Sequence, residues 1–219
     1  AAALQKEYKS GIVWPEPVVV TPGKTDHEPP SDAVVLFDGK DLSKWNGGEK
    51  WEIKDGYAVV KGGDVTTKDS FGDYQLHVEF ATPEVVRGSG QGRGNSGVFL
   101  ANRYEVQVLD SYGLKSGKND CAAIYNIAAP AVNACKAPTV WQSYDIVFTS
   151  PKFDGKKKVK NARMTVWHNG VKVHDDVEVT TDNTTAGMGG DPSTPGPVML
   201  QDHGHPVQYR NIWLLPLEN

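Results

Sequence analysis

Hydrophobic and polar residues alternate with a period of two along most of this chain. No stretch of ten residues or more carries the spacing of an amphipathic helix. The clearest case is Tyr74–Phe80. Tyr74, Leu76, Val78 and Phe80 share one face there, and Gln75, His77 and Glu79 share the other. That pattern predicts a half-buried antiparallel strand. Short apolar runs at Val34–Phe37 and Tyr57–Lys61 are bounded by Asp38-Gly39 and Asp55-Gly56 and predict two more strands. Further strands are expected at Ser96–Ala101, Tyr104–Leu109, Ser143–Phe148, Ala162–His168, Val171–His174, Val198–Gln201 and Val207–Leu214. Asn169-Gly170 joins two of them as a two-residue hairpin. Lys152–Lys160, with five lysines around Asp154-Gly155, reads as a solvated hairpin tip. The stretches 83–94, 111–120, 128–139 and 182–197 read as long loops, which on a β scaffold tend to carry function. Many strands and no helix predict an all-β fold, a two-sheet antiparallel β-sandwich of jelly-roll type.

Composition sharpens this picture. The 219 residues include 23 Gly and 14 Pro, a turn-rich count that suits many short strands. Residues 1–32 are polar and studded with proline and read as an extended N-terminal arm, which leaves residues 33–219 as a single sandwich domain. A net charge of −4 argues against a nucleic-acid partner, and no apolar run approaches the length of a membrane span. Cys121 and Cys135 lie 14 positions apart in a loop rich in Gly, Ala and Pro, with no histidine between them. A disulfide pinning that loop is expected, worth roughly 3 kcal/mol by loop closure, and with it an oxidising location, secreted or periplasmic. The first residues lack a signal-peptide pattern, which fits a chain whose signal has been removed.

The most informative segment for chemistry is Tyr104–Asp110. Glu105, Gln107 and Leu109 share one face of that strand, with Val106 and Val108 on the core side, and Asp110 would join Glu105 if a bulge re-aimed the chain. Two carboxylates so placed could perform retaining glycoside hydrolysis. His203 and His205 flank Gly204, which suits either a metal pair or one histidine acting in proton transfer. A divalent metal held by His203, His205 and Glu105 stays open, and no cofactor is demanded. Arg210 has the opposite parity to Tyr209 and Trp213, so with those two in the core it points towards the surface Glu105 lines. Asn95 follows the Gly-rich stretch 88–94 and offers an amide to a ligand. Trp51, Trp141 and Tyr125 are aromatic rings on which a sugar could stack.

The segments Leu36-Phe37-Asp38-Gly39-Lys40-Asp41-Leu42 with Trp45, Asn95-Ser96-Gly97-Val98-Phe99 and Glu105–Asp110 form an ordered set. With the Asn169-Gly170 hairpin, Leu200-Gln201-Asp202-His203-Gly204 and Tyr209-Arg210-Asn211-Ile212, that set resembles the 3-keto-disaccharide hydrolase family over about residues 33–217. The resemblance implies a concanavalin A-like jelly roll acting on saccharides oxidised at C3, with a pocket at Glu105, Gln107, Asp110, His203 and Arg210, joined by Asn95 and Tyr125. On chemical grounds His203 or Glu105 is the base, Asp110 or Glu105 the acid, and Arg210 the enolate stabiliser. Gln107, Gln201 and the aromatic rings are then expected to hold the sugar. A conventional retaining β-glucan glycosidase and a non-catalytic carbohydrate-binding module of the same fold remain alternatives.

Overall fold

A computed structural model describes residue 11 and residues 18–217. The expected N-terminal arm falls partly outside the described residues. Among the described residues fifteen strands make up the fold. The first six are β1 (Val34–Phe37), β2 (Trp45–Asn46), β3 (Glu52–Lys54), β4 (Tyr57–Val59), β5 (Val65–Thr67) and β6 (Tyr74–Ala81). The next five are β7 (Asn95–Leu100), β8 (Tyr104–Leu109), β9 (Gln142–Thr149), β10 (Lys152–Asp154) and β11 (Lys157–Lys160). The last four are β12 (Ala162–His168), β13 (Val171–Val179), β14 (Met199–Leu200) and β15 (Gln208–Pro216).

An eight-stranded sheet runs β13-β12-β9-β6-β15-β4-β3, with β1 added beside β15, and packs on a five-stranded sheet ordered β2-β5-β14-β7-β8. All the pairings are antiparallel. The two inner faces meet in one core where Tyr74, Leu76, Val78 and Phe80 from β6 face Val98 and Leu100 from β7 and Tyr104, Val106 and Val108 from β8, all fully buried. Asn169 takes a positive φ of 53° in the β12–β13 hairpin, as a tight turn of this kind requires. The lysine-rich β10–β11 pair is likewise a hairpin.

β6 departs from the expected half-buried strand. His77 and Glu79 point away from the core, yet both are buried because that outer face is itself covered. Trp213 stacks on His77 at 5.1 Å, the His27 ring lies 5.6 Å from His77, and the Trp213 indole N–H donates to the His27 carbonyl (3.0 Å). Trp213 can reach that face because the β15–β6 register shifts between Arg210 and Trp213, where Asn211 adopts φ 46°. The expectation that Tyr209 and Trp213 both face the core is therefore corrected. Tyr209 and Ile212 point inward, and the irregularity between them turns Trp213 outward.

Candidate active site

The outer face of the five-stranded sheet carries Asn95, Gly97 and Phe99 from β7 and Glu105 and Gln107 from β8, set side by side by the pairings Gly97–Gln107 and Phe99–Glu105. β8 is the edge of that sheet, and an exposed edge is a ready template for unwanted pairing. Here irregular chain covers it. The Gln107 amide donates to the Ala123 carbonyl (2.9 Å), and the Ala122 and Tyr125 amides donate to the carbonyls of Gln107 and Glu105 (2.9 and 3.1 Å). The Glu105 amide donates to Thr184 Oγ1 (3.1 Å), whose hydroxyl passes on to the Arg103 carbonyl. Arg103 in turn holds the carbonyls of Asp191 and Thr194, so the 182–194 loop is fastened over the end of the strand.

These covers bury Glu105 to 2% exposure, and its Oε2 finds no hydrogen-bond partner. Burial with no compensating donor pushes its carboxyl up to about 8, so Glu105 is protonated at neutral pH. The neighbouring oxygens Asn95 Oδ1 and Gln107 Oε1 are equally buried and equally unpaired. Leaving such atoms unmatched costs stability, so their gathering on one patch marks a place built for a ligand.

The patch has a bare floor. A Cβ at Gly97 would stand 2.6 Å from Glu105 Oε1 and 2.7 Å from the Phe99 ring, so any side chain there displaces the Glu105 carboxyl or the ring. The Gln201 amide donates to the Gly97 carbonyl (3.0 Å), which seats Gln201 beside this floor. Behind it, the Ser96 hydroxyl donates to the Gln201 carbonyl (2.6 Å), and Tyr209 Oη, 2.7 Å away, must then donate to Ser96 Oγ. On the other side Tyr144 Oη donates to the Gln107 carbonyl (2.7 Å) and accepts from the Ala122 amide (2.8 Å). Two buried tyrosines thus fix the backbone of both strands from within the core.

Several expected members of the site lie elsewhere. β8 pairs with β7 without a bulge, and Asp110 follows its end with both the Nε and Nη2 of Arg93 on its Oδ2 (3.0 and 2.5 Å). It lies five positions from Glu105, about 16 Å along the chain at roughly 3.3 Å per residue. The paired carboxylates of a retaining glycosidase need about 5 Å, so Asp110 is corrected from acid to structural partner of Arg93. Arg210 leaves β15 on the outer face of the other sheet. It pairs there with Glu79 (2.6 Å) and lies 4.1 Å over the Trp141 ring, so neither Arg210 nor Trp141 shares a surface with Glu105. The core geometry explains this: Tyr209 points inward at Ser96, so its neighbour must point away from both the core and the five-stranded sheet. Trp51 is core, stacked on Tyr209 at 5.9 Å with its indole N–H on the Gly63 carbonyl, and is no sugar platform.

His203 is exposed on the turn two residues past Gln201. The rings of His203 and His205 stack at 6.1 Å, and His205 lines a separate cleft of ≈ 560 Å³ with Pro83, Val85, Arg87 and Gln208. Among the described residues no three His, Cys, Asp or Glu side chains gather to hold a metal ion, so the set His203, His205 and Glu105 does not fit one. Cys121 and Cys135 are free, buried thiols, so the expected disulfide is not formed; Cys121 Sγ lies 3.2 Å from Tyr144 Oη, and Cys135 Sγ donates to the Lys136 carbonyl (3.4 Å). Their loop is fastened without a covalent bond. The Cys121 amide donates to Ser111 Oγ (3.0 Å), and Asn133 Nδ2 donates to the Ser111 and Leu114 carbonyls (both 2.8 Å). The oxidising compartment inferred from that bond has no support here.

The structure therefore brings together Glu105, Gln107 and Asn95, with Gln201 and Tyr125 joined to the patch through their backbone amides and His203 on the adjoining turn. Sequence reasoning missed Gln91, whose side chain meets both Asn95 and Gln107. The one signal available was an amide set between two glycines at 90 and 92.

The family model for the 3-keto-alpha-glucoside-1,2-lyase-like domain matches residues 32–215. A crystal structure from Parabacteroides distasonis ATCC 8503, assigned as a glycosyl hydrolase, superposes with a TM-score of 0.86 at 38% identity, covering 95% of each chain. Two more structures from that organism, assigned likewise, give TM-scores of 0.62 and 0.60 at 21% and 23% identity. They cover 85% and 84% of this chain and 94% and 99% of theirs, and share the fold. The search of curated proteins returns no match.

Proposed function

This chain belongs to the 3-keto-alpha-glucoside-1,2-lyase-like family, and from that premise we propose that it cleaves neutral glycosides already oxidised to a ketone at C3. The observation that carries the reading is the patch around Gly97, where a protonated, unpaired Glu105 lies among the unpaired amide oxygens of Asn95 and Gln107. Two amide acceptors beside one protonated carboxyl, with no cation among them, suit the hydroxyls of an uncharged sugar.

A ketone at C3 acidifies the hydrogen on C2. A base removes that proton, the electron pair forms the enolate, and its collapse expels the C1 oxygen substituent, which takes a proton from an acid. Water then adds across the new C1–C2 double bond, so the net change is hydrolysis. Glu105 serves as the acid, since its raised pKa keeps its proton at neutral pH. His203 on the adjoining turn serves as the base. Asn95 and Gln107 accept from sugar hydroxyls. The side chain of Gln201, beside the Gly97 floor, donates to the ketone oxygen as charge builds there.

The test is incubation with a 3-keto-glucoside and with its unoxidised parent, followed by NMR. Release of 3-keto-glucose or the 2-hydroxy-glycal from the oxidised sugar alone is expected, with kcat/KM falling as pH rises through about 8, where Glu105 loses its proton. Cleavage of the parent, or no turnover of either sugar, would refute the reading. A rate that climbs through that pH instead would reverse the role given to Glu105.

A further inference from the structure

Asn95 and Gln107 pose a problem of polarity. A side-chain amide has nearly the same shape in its two flipped orientations, one presenting an oxygen to the ligand and the other an NH2. Which atom faces the patch decides whether the site accepts hydrogen bonds or donates them. The answer comes from the loop before β7. Gln91 Nε2 donates to the backbone carbonyl of Asn119 (2.7 Å), and a carbonyl cannot donate, so Gln91 must turn its Oε1 the other way. That oxygen receives Gln107 Nε2 at 2.9 Å and Asn95 Nδ2 at 3.2 Å. The backbone carbonyl of Gln91 receives Asn95 Nδ2 as well, at 2.9 Å. With both NH2 groups committed to Gln91, both amide oxygens are left unpaired in the patch.

We propose that Gln91 is the positioning residue of this site: it sets the orientation of the Asn95 and Gln107 amides so that the substrate meets two acceptors. The proposal rests on the hydroxyl-binding role given to these amides above. Gln91 touches no reacting atom and acts through its two neighbours. Its own orientation is inherited from Asn119, a backbone group that no substitution of a side chain can flip. Without Gln91, the Gln107 amide has no group to distinguish its two orientations, and binding of a hydroxyl must first overcome that freedom.

The experiment compares Q91A, Q91E and Q91K. In Q91E a carboxylate oxygen still receives both amides, and only the donation to the Asn119 carbonyl is given up. In Q91K a donor faces the Gln107 amide and turns its NH2 group towards the ligand, while Asn95 keeps its bond to the backbone carbonyl of residue 91. With the 3-keto-glucoside, KM is expected to rise about tenfold in Q91A and more in Q91K, with kcat changing less than threefold, and Q91E is expected to stay within threefold of the parent protein. A Q91A KM within twofold of the parent, or a Q91E loss as large as that of Q91A, overturns the proposal. A second measurement needs no turnover. In 15N-labelled protein the Gln107 side-chain NH2 should exchange with solvent at least tenfold faster in Q91A and at the parent rate in Q91E. Unchanged exchange in Q91A overturns the proposal even where the activity reading has failed, and accelerated exchange upholds the orientation in that case.

Discussion

Replacing Glu105 by glutamine should change the stability of this protein with opposite signs at low and high pH. In the unfolded chain the Glu105 carboxyl titrates at its ordinary 4.5, whereas burial raises it to about 8 in the folded protein. Below pH 4.5 both states hold the proton and the group contributes nothing. Between 4.5 and about 8 the unfolded chain ionises and the folded one does not, so stability is lost as pH rises, and the loss is complete above pH 8. At 1.36 kcal/mol per pH unit the penalty is about 3 kcal/mol at pH 7 and about 5 kcal/mol at pH 9, a large part of a typical 5–15 kcal/mol total. Glutamine keeps the shape and removes this titration, but its buried NH2 then lacks an acceptor, at a cost of about 1–3 kcal/mol at every pH. E105Q should therefore be the less stable protein at pH 4.5 and the more stable one at pH 9, by several kcal/mol. Urea denaturation of both proteins at pH 4.5, 7 and 9 reads this directly, while the same variant should lose turnover. A stability difference that stays constant within about 1 kcal/mol across that range would sink the argument, because Glu105 would then be ionised or paired in the folded state.

Two further outcomes follow from the geometry. G97A should abolish measurable turnover while the protein still folds, since the new methyl group claims the space of Glu105 Oε1; activity above about a tenth of the parent level would show that the floor can give way. For His77, burial lowers the imidazole pKa, but contacts to Asp145 (2.7 Å) and Glu79 (3.6 Å) outweigh it and hold the group at about 8. Its charged form stabilises the fold in full below pH 6.5, and that contribution is lost as pH rises through about 8. The stability advantage of the parent over H77Q should shrink by about 2 kcal/mol between pH 6 and pH 9 in denaturant titrations, and a gap independent of pH would contradict this.

Much of this architecture is written in short-range pattern. The strand and core face at Tyr74–Phe80 and the Asn-Gly turn at 169–170 needed no tertiary context to be read, whereas the burial of His77 and Glu79 on the outer face did. The placing of Glu105 and Gln107 on one face of an unbroken β8 was equally legible, because parity along a regular strand is a local property. Parity failed where regularity failed. The register shift beside Asn211 sent Trp213 outward. In β8 the reverse held: the strand stayed regular, and without a bulge Asp110 was left out of reach. Which sheet a strand joins is decided by pairing partners far away in the chain, so the sequence could not tell that Arg210 and Glu105 sit on opposite layers. Gln91 was invisible for the same reason: its importance lies in three partners at positions 95, 107 and 119, none of them marked by any motif.

The edge strand β8 is completed by irregular chain, not by a sixth strand, and that choice separates two kinds of change. The floor at Gly97 and the acid at Glu105 belong to the regular ladder, where a one-residue insertion would flip every side chain to the wrong layer. The walls are loops 111–126 and 182–194, fastened at a few points such as Thr184, Arg103 and Asn133, and between those points their length is free to vary. Selection or an engineer can therefore reshape the cover over the patch by lengthening or trimming these loops, leaving the chemistry beneath it untouched.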